Sequence, residues 1–256
     1  MEQNTARVGV FDSGIGGLTV LSACRRIFPS LEYLYYGDNP NAPYGAKNEA
    51  EILRLVRGAV GKLCEEGVDA VVLACNTATA VCAEALRSEF SVPIIGMEPA
   101  VKPAAATCKR VLVLATPRTA ESERLRKLVS ASAARCDITV HAAPRLAGCI
   151  ERALAFGEPL RLCEHLPQGD YDGVVLGCTH YVYMKREIGD FYRARVFDGN
   201  EGAANRLRSL LGKRISGTDD HPINRACFGG GEVIFLGNGA ETNKKLYNTN
   251  KCFIKF

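Results

Sequence analysis

An apolar run ending in a cysteine and two small polar residues occurs twice in this chain. Val68-Asp69-Ala70-Val71-Val72-Leu73-Ala74-Cys75-Asn76-Thr77 reads almost like Tyr171-Asp172-Gly173-Val174-Val175-Leu176-Gly177-Cys178-Thr179-His180. A fainter echo pairs Val8–Ser13 with Val111–Thr116, and both echoes are offset by 103 residues. Two related halves of about one domain each would explain the match, with a break near Gly96–Pro103, where Pro99 and Pro103 interrupt any regular element.

The surrounding pattern says what those halves are made of. Short β-branched and aromatic runs at Val8–Phe11, Leu34–Tyr36, Ala70–Ala74, Ile94–Ile95, Val111–Ala115, Ile138–His141, Val174–Leu176 and Val196–Phe197 predict strands. Between most of them, Leu18–Ile27, Asn48–Glu66, Ala78–Phe90, Thr119–Ala134, Leu146–Ala155 and Gly202–Leu211 carry apolar residues at helical spacing. Strand–helix alternation implies parallel sheets covered on both faces. The expected fold class is α/β, with two pseudo-symmetric parallel-sheet α/β domains facing one another across a cleft. After Leu211 the pattern degrades, and turn signals at Gly229–Gly231 and Asn238-Gly239 suggest a short hairpin around Val233–Leu236.

Composition excludes several classes. At 256 residues, with 47% hydrophobic and 23% charged residues, the chain can bury a substantial core. Its longest apolar runs, such as Ala70–Cys75, fall far short of the roughly 20 residues of a membrane span. The start has no signal-peptide character, which predicts a cytoplasmic location. A net charge of +4 spread along the chain, without a basic stripe, predicts no obligatory nucleic-acid partner. The eleven cysteines contain no CxxC pair, so a zinc ribbon or dithiol motif is not expected.

In open parallel sheets, ligands bind beyond the carboxyl ends of strands. There the pattern places Asp12-Ser13, Cys75-Asn76-Thr77, Thr116 and Cys178-Thr179-His180. Asp12-Ser13-Gly14-Ile15-Gly16-Gly17 is either a plain tight turn or an anion cradle at a helix N-terminus; Thr19 breaks the dinucleotide spacing and the P-loop Lys-Ser/Thr pair is missing. Taken singly, Cys75 and Cys178 read as small residues at strand ends. As a pair on facing halves they form a thiolate and a thiol on opposite sides of a cleft, which is what inverting a carbon centre without a cofactor requires. Asn76, Thr77 and Thr179 would hold a carboxylate and an ammonium group. His180 is open to three readings: a core histidine, a metal ligand, or the partner favouring a Cys178 thiolate. Asp12 could match it for Cys75, and Glu151 is either a cleft acid or a solvated helix residue.

Together, Phe11-Asp12-Ser13-Gly14-Ile15-Gly16-Gly17-Leu18, Ala42-Pro43-Tyr44-Gly45, Cys75-Asn76-Thr77-Ala78 and Gly177-Cys178-Thr179-His180-Tyr181 resemble the glutamate racemase family over about residues 7–211. The resemblance implies cofactor-independent interconversion of L- and D-glutamate, supplying D-glutamate for peptidoglycan, with no cofactor and no metal. It implies Cys75 and Cys178 as the two proton-transfer groups, Asp12 and His180 as assisting acid and histidine, and Glu151 in an auxiliary role. Ser13, Pro43, Tyr44, Gly45, Asn76, Thr77, Thr116, Thr119 and Thr179 fall on positions of substrate binding, together with Asp12, Cys75, Cys178 and His180. It also implies domains at 1–97 and 98–209, the first completed by 210–256. Domain closure is expected on binding. Val182 and Gly199 depart from the common pattern, which holds Pro and a hydroxyl residue there. Family members differ in forming homodimers and in activation by a peptidoglycan precursor, so both stay open.

Three rivals remain at this stage. An aspartate racemase would share the two-thiol logic; Asp12-Ser13 and Pro43-Tyr44-Gly45 favour the glutamate branch. A non-catalytic amino-acid-binding or regulatory protein would tolerate loss of either thiol. A thiol redox protein predicts a ready Cys75–Cys178 disulfide.

Overall fold

The computed structural model describes residues 6–215 and 231–250. The chain begins with β1 (Arg7–Asp12), α1 (Leu18–Ile27), β2 (Glu32–Gly37), two 3-10 turns at Asn39–Asn41 and Tyr44–Ala46, α2 (Glu49–Glu65), β3 (Ala70–Leu73), α3 (Asn76–Glu89) and β4 (Ile94–Gly96). A short α4 (Val101–Ala105) leads into β5 (Arg110–Ala115), α5 (Pro117–Ala120), α6 (Glu123–Ser130), β6 (Asp137–Ala142) and α7 (Leu146–Phe156). Then come β7 (Gly173–Gly177), a 3-10 turn at Thr179–Met184, α8 (Lys185–Tyr192), β8 (Arg195–Asp198), α9 (Asn200–Ile215), β9 (Val233–Leu236) and α10 (Ala240–Asn250).

The described strands form two sheets, ordered β4-β3-β1-β2-β9 and β6-β5-β7-β8, and every pairing is parallel. Read from the other edge, the second is β8-β7-β5-β6, which repeats the order of the first four strands element for element. The repeat in sequence is thus a repeat in topology. Both sheets are covered on both faces: Ala70, Val72 and Ala74 pack on one side and Val71, Leu73 and Cys75 on the other, while Val174, Leu176 and Cys178 oppose Val175. This period-two division of near-continuous apolar strands is what a doubly covered parallel sheet demands.

Four local expectations are corrected. Val233–Leu236 is not a hairpin arm: Tyr33↔Val233 to Tyr36↔Leu236 pair in parallel, so β9 extends the edge of the first sheet before Gly237, at φ +80°, turns the chain into α10. Gly229 and Gly230 lie outside the described residues. Thr119–Ala134 is two helices, because Ser122 caps α6 by accepting from the Leu125 N–H and ends the preceding turn. Pro103 does not prevent helix at 101–105, since it occupies the first turn, where backbone N–H groups have no intrahelical acceptor. Lys185–Tyr192 forms a helix that the pattern did not single out.

Candidate active site

Helix α3 starts two residues earlier than its apolar spacing suggests, because Cys75 is its cap: the thiol sulfur accepts from the Ala78 N–H at 3.5 Å. A cysteine at a helix N-terminus is where backbone dipoles favour a thiolate. Ser13, from the turn after β1, lies 3.5 Å from the same sulfur, oxygen to sulfur. Burial nevertheless pushes the Cys75 thiol up to about 12, with Asp12 adding to the effect and the Ser13 and Ala78 bonds opposing it. Cys75 is therefore a protonated thiol near pH 7.

On the other half, Cys178 directly follows β7 and is 7% exposed. Its sulfur stands 3.9 Å from His180 Nδ1, while Nε2 of the same ring lies 2.5 Å from Glu151 Oε2 on α7. Burial alone would lower the His180 pKa, but the Glu151 carboxylate and Cys178 outweigh it, so the imidazole is held protonated well above its ordinary range. His180 is therefore not a passive core residue; among the described residues no group of three His, Cys, Asp or Glu side chains could hold a metal ion. Glu151 faces this ring and not solvent, with a side chain 14% exposed.

Asp12 joins the two halves. It ends β1, is fully buried, accepts from the Gly14 N–H at 2.9 Å and from Thr179 Oγ1 at 3.0 Å, and its carboxyl is raised above the ordinary range chiefly by burial. A second bridge is built of hydroxyls: Thr77 Oγ1 at the start of α3 lies 2.9 Å from Oγ1 of Thr116, just beyond β5, and 3.3 Å from Oγ1 of Thr119, in α5. Asn76 is buried beside them and its amide nitrogen has no protein partner, an unspent donor in a polar cluster.

The approach of the halves is close enough to demand glycine. A side-chain carbon at Gly14 would overlap Glu151, one at Gly16 would overlap Thr179 and lie 2.7 Å from His180 Nδ1, and one at Gly45 would lie 2.7 Å from Thr116 Cβ. The glycine-rich turn after β1 is thus a contact surface for the opposite half. Tyr44 is buried and its hydroxyl donates to Asp38 at 2.6 Å, whereas Pro43, after a cis peptide bond, is exposed near Gly148.

The structure therefore gathers Asp12, Ser13, Cys75, Asn76, Thr77, Thr116, Thr119, Cys178, Thr179, His180 and Glu151, with Tyr44 and Gly45 alongside and Pro43 outermost. The sequence reading missed Asp38, which holds Tyr44, and Asn39, whose amide donates to Glu151 Oε1 at 3.3 Å. The signal for both was their place just beyond the carboxyl end of β2, the position that singled out the other residues. Each of the cysteines described is free, and no described helix is long and apolar enough to cross a membrane.

Comparisons with known proteins agree with this constellation. Residues 18–207 match the family model for Asp/Glu/Hydantoin racemase. A glutamate racemase of Leptospira interrogans is 42% identical over 213 residues, covering 80% of this chain and 82% of that protein. One from Halothermothrix orenii is 37% identical over 251 residues, covering 94% and 96%. Among solved structures, the Escherichia coli glutamate racemase in complex with L-glutamate and the activator UDP-MurNAc-Ala superposes with a TM-score of 0.80 at 30% identity, over 96% of this chain and 95% of that one. With two parallel α/β sheets repeated about one buried cluster, and relatives of this identity along most of its length, the chain belongs to the Asp/Glu/Hydantoin racemase family, among its glutamate racemases.

Proposed function

We propose that the chain interconverts L- and D-glutamate by proton transfer between two thiols, without a cofactor. The observation that carries this reading is that Cys75 and Cys178, each just beyond the same strand of its half, are buried and belong to one polar cluster: Ser13, beside the Cys75 sulfur, adjoins Asp12, which bonds Thr179 next to Cys178. For the enantiomer whose α-hydrogen faces Cys178, the thiolate there takes that proton and becomes a thiol. The Cys75 thiol then delivers its own proton to the opposite face of the carbanion and becomes the thiolate. The product is inverted, no electron leaves or enters, and the reverse reaction uses the same groups with roles exchanged.

The surrounding residues suit the demands of that step. Removing an α-proton without an electron sink needs charge stabilisation in a dry site. The unspent Asn76 amide and the Thr77, Thr116 and Thr179 hydroxyls supply donors for substrate carboxylates, with Ser13, Tyr44, Gly45, Thr119 and Pro43 completing the pocket. The protonated His180, held by Glu151, favours the Cys178 thiolate and assists its proton transfers. Asp12 is placed to receive the substrate ammonium and to modulate Cys75.

The same reading takes residues 1–97 with 210–256 as one domain and 98–209 as the other, and places the protein in the cytoplasm, supplying D-glutamate for peptidoglycan. It extends to two partners: a second copy of the chain, and a peptidoglycan precursor of the kind seen in the E. coli structure. Sedimentation with and without UDP-MurNAc-Ala tests both. Activity itself is tested by offering each enantiomer of glutamate and of aspartate to the reduced protein without cofactor. Turnover of both glutamate enantiomers in preference to aspartate supports the proposal; a preference for aspartate overturns its substrate.

A further inference from the structure

The pair formed by Glu151 and His180 does not end at Glu151. Asn39 Nδ2, just beyond β2, donates to Glu151 Oε1 at 3.3 Å, and Asn39 Oδ1 accepts from Asn243 Nδ2 at 2.9 Å. Asn243 sits on α10, the last described helix, and is 0% exposed. A carboxylate only accepts, so Asn39 must turn its NH2 to Glu151 and its oxygen to Asn243, and Asn243 must in turn present its NH2. The charge on Glu151 thereby fixes the orientation of both amides. Asn243 Oδ1 has no partner, an unmet cost at a fully buried position that is expected where orientation toward Asn39 is enforced. The backbone is shaped to admit these groups. A side-chain carbon at Gly37 would overlap the Asn243 amide and lie 3.0 Å from Asn39 Oδ1, and one at Gly239 would overlap Asn39.

We propose that Asn39 and Asn243 are positioning residues for the second thiol, acting through Glu151 and His180, so that α10 at the far end of the chain sets the reactivity of Cys178. The inference rests on the proposed two-thiol reading and deepens it. Physically, the amide of Asn39 keeps the Glu151 carboxylate in place against the His180 ring. The carboxylate keeps the imidazole oriented and protonated, and the imidazolium stabilises a thiolate at Cys178. Without the amide bonds, Glu151 is free to turn away from His180, the imidazole loses its orienting partner, and the thiolate loses its support.

The other titratable groups facing this row are Asp12, Cys75, Tyr35, Tyr181 and Tyr183. The three tyrosines are raised above their ordinary range mainly by burial and stay neutral near pH 7, and Cys75 stays a thiol there. Asp12 bonds Thr179 and not the two asparagines. Loss of Asn39 or Asn243 therefore reaches Cys178 and leaves Cys75 alone.

The test is the alkylation rate of each thiol by iodoacetamide from pH 6 to 9, followed by peptide mapping, in the full-length protein and in Asn39→Ala, Asn243→Ala and Glu151→Gln. It needs no glutamate, so it stands or falls separately from the assigned substrate. Both asparagine variants are expected to slow alkylation of Cys178 at pH 7 by about threefold to tenfold and to require higher pH for the original rate. Glu151→Gln should slow it more, with Cys75 unchanged throughout. In turnover the same variants should lower kcat with little change in KM. The proposal is overturned if both asparagine variants leave Cys178 at its original rate while Glu151→Gln slows it, or if Cys75 and Cys178 change together, as general loosening would require. Should Asn243→Ala fail to fold, Asn39→Ala, at a half-buried position, decides alone.

Discussion

Thr179 Oγ1 donates a hydrogen bond to Asp12 Oδ2 at 3.0 Å, tying the residue after the second thiol to the carboxylate that ends β1 of the other half. The bond is buried at both ends and lies against the glycine-rich turn, where a side-chain carbon at Gly16 would overlap Thr179 Oγ1 and one at Gly17 would overlap Asp12. It makes the chemistry a property of the junction and of neither half alone.

Gly16→Ala tests that junction. The added carbon would overlap Thr179 Oγ1 and press on the His180 ring and backbone, none of which is the free end of a flexible chain. The halves should be held apart by a fraction of an ångström, lowering kcat/KM by about 100-fold, as small misplacements of reacting groups do. Circular dichroism should show the fold retained. Activity within twofold of the parent would show that the halves do not need this approach.

Replacing either thiol by a hydroxyl removes the proton-transfer group and leaves the shape. Cys75→Ser and Cys178→Ser should each reduce racemisation by about 10²- to 10⁴-fold, while glutamate still raises the Tm of both variants. Racemisation above a tenth of the parent rate in either variant would remove that thiol from the mechanism.

The hydroxyl bridge is expected to act on binding. Thr77→Val keeps the size of the side chain but takes away the oxygen that reaches both Thr116 and Thr119. KM should rise about tenfold, with kcat changing less, because a substrate carboxylate loses a donor and two buried hydroxyls lose a partner. A fall confined to kcat would assign the bridge to the proton-transfer step.

Stability should depend on pH through His180. Its pKa in the fold is raised well above the ordinary 6.5, so the stabilisation it gains from Glu151 and Cys178 is fully present below pH 6.5 and is lost as pH rises through the folded value. Between pH 6.5 and 8.5 the Tm of the parent should therefore fall more steeply than that of His180→Asn. Asp12, also raised, is common to both proteins, and the Cys75 thiol titrates above this window. Parallel Tm curves for the two proteins would contradict a protonated His180.

Much of the placement of these residues was legible in the sequence. Repeated strand-end motifs identified Cys75 and Cys178, and the rule that ligands sit beyond the carboxyl ends of parallel strands placed Asp12, Thr116 and His180 with them. Leu18–Ile27 was readable to the residue because its apolar stripe is uninterrupted. The features missed are those fixed by distant partners. Nothing local tells Val233–Leu236 to lie parallel to β2, since a strand's partner is chosen by the sheet edge left open to it. Asn39 carries no motif of its own, and its role depends on Glu151 and Asn243 arriving from positions far along the chain. Glu151, ambiguous on a helix face, was decided by the ring it meets.

Inversion by two thiols on opposite faces of one carbon leaves its mark in solvent isotope incorporation. The reduced protein is incubated with D-glutamate in deuterated water, and optical rotation and α-carbon deuterium are followed together. Optical activity should be lost with deuterium entering the L-product from solvent, since the proton delivered comes from the thiol opposite the one that removed the original. Racemisation that carries the original α-hydrogen into the L-product without exchange would contradict two separate proton-transfer groups.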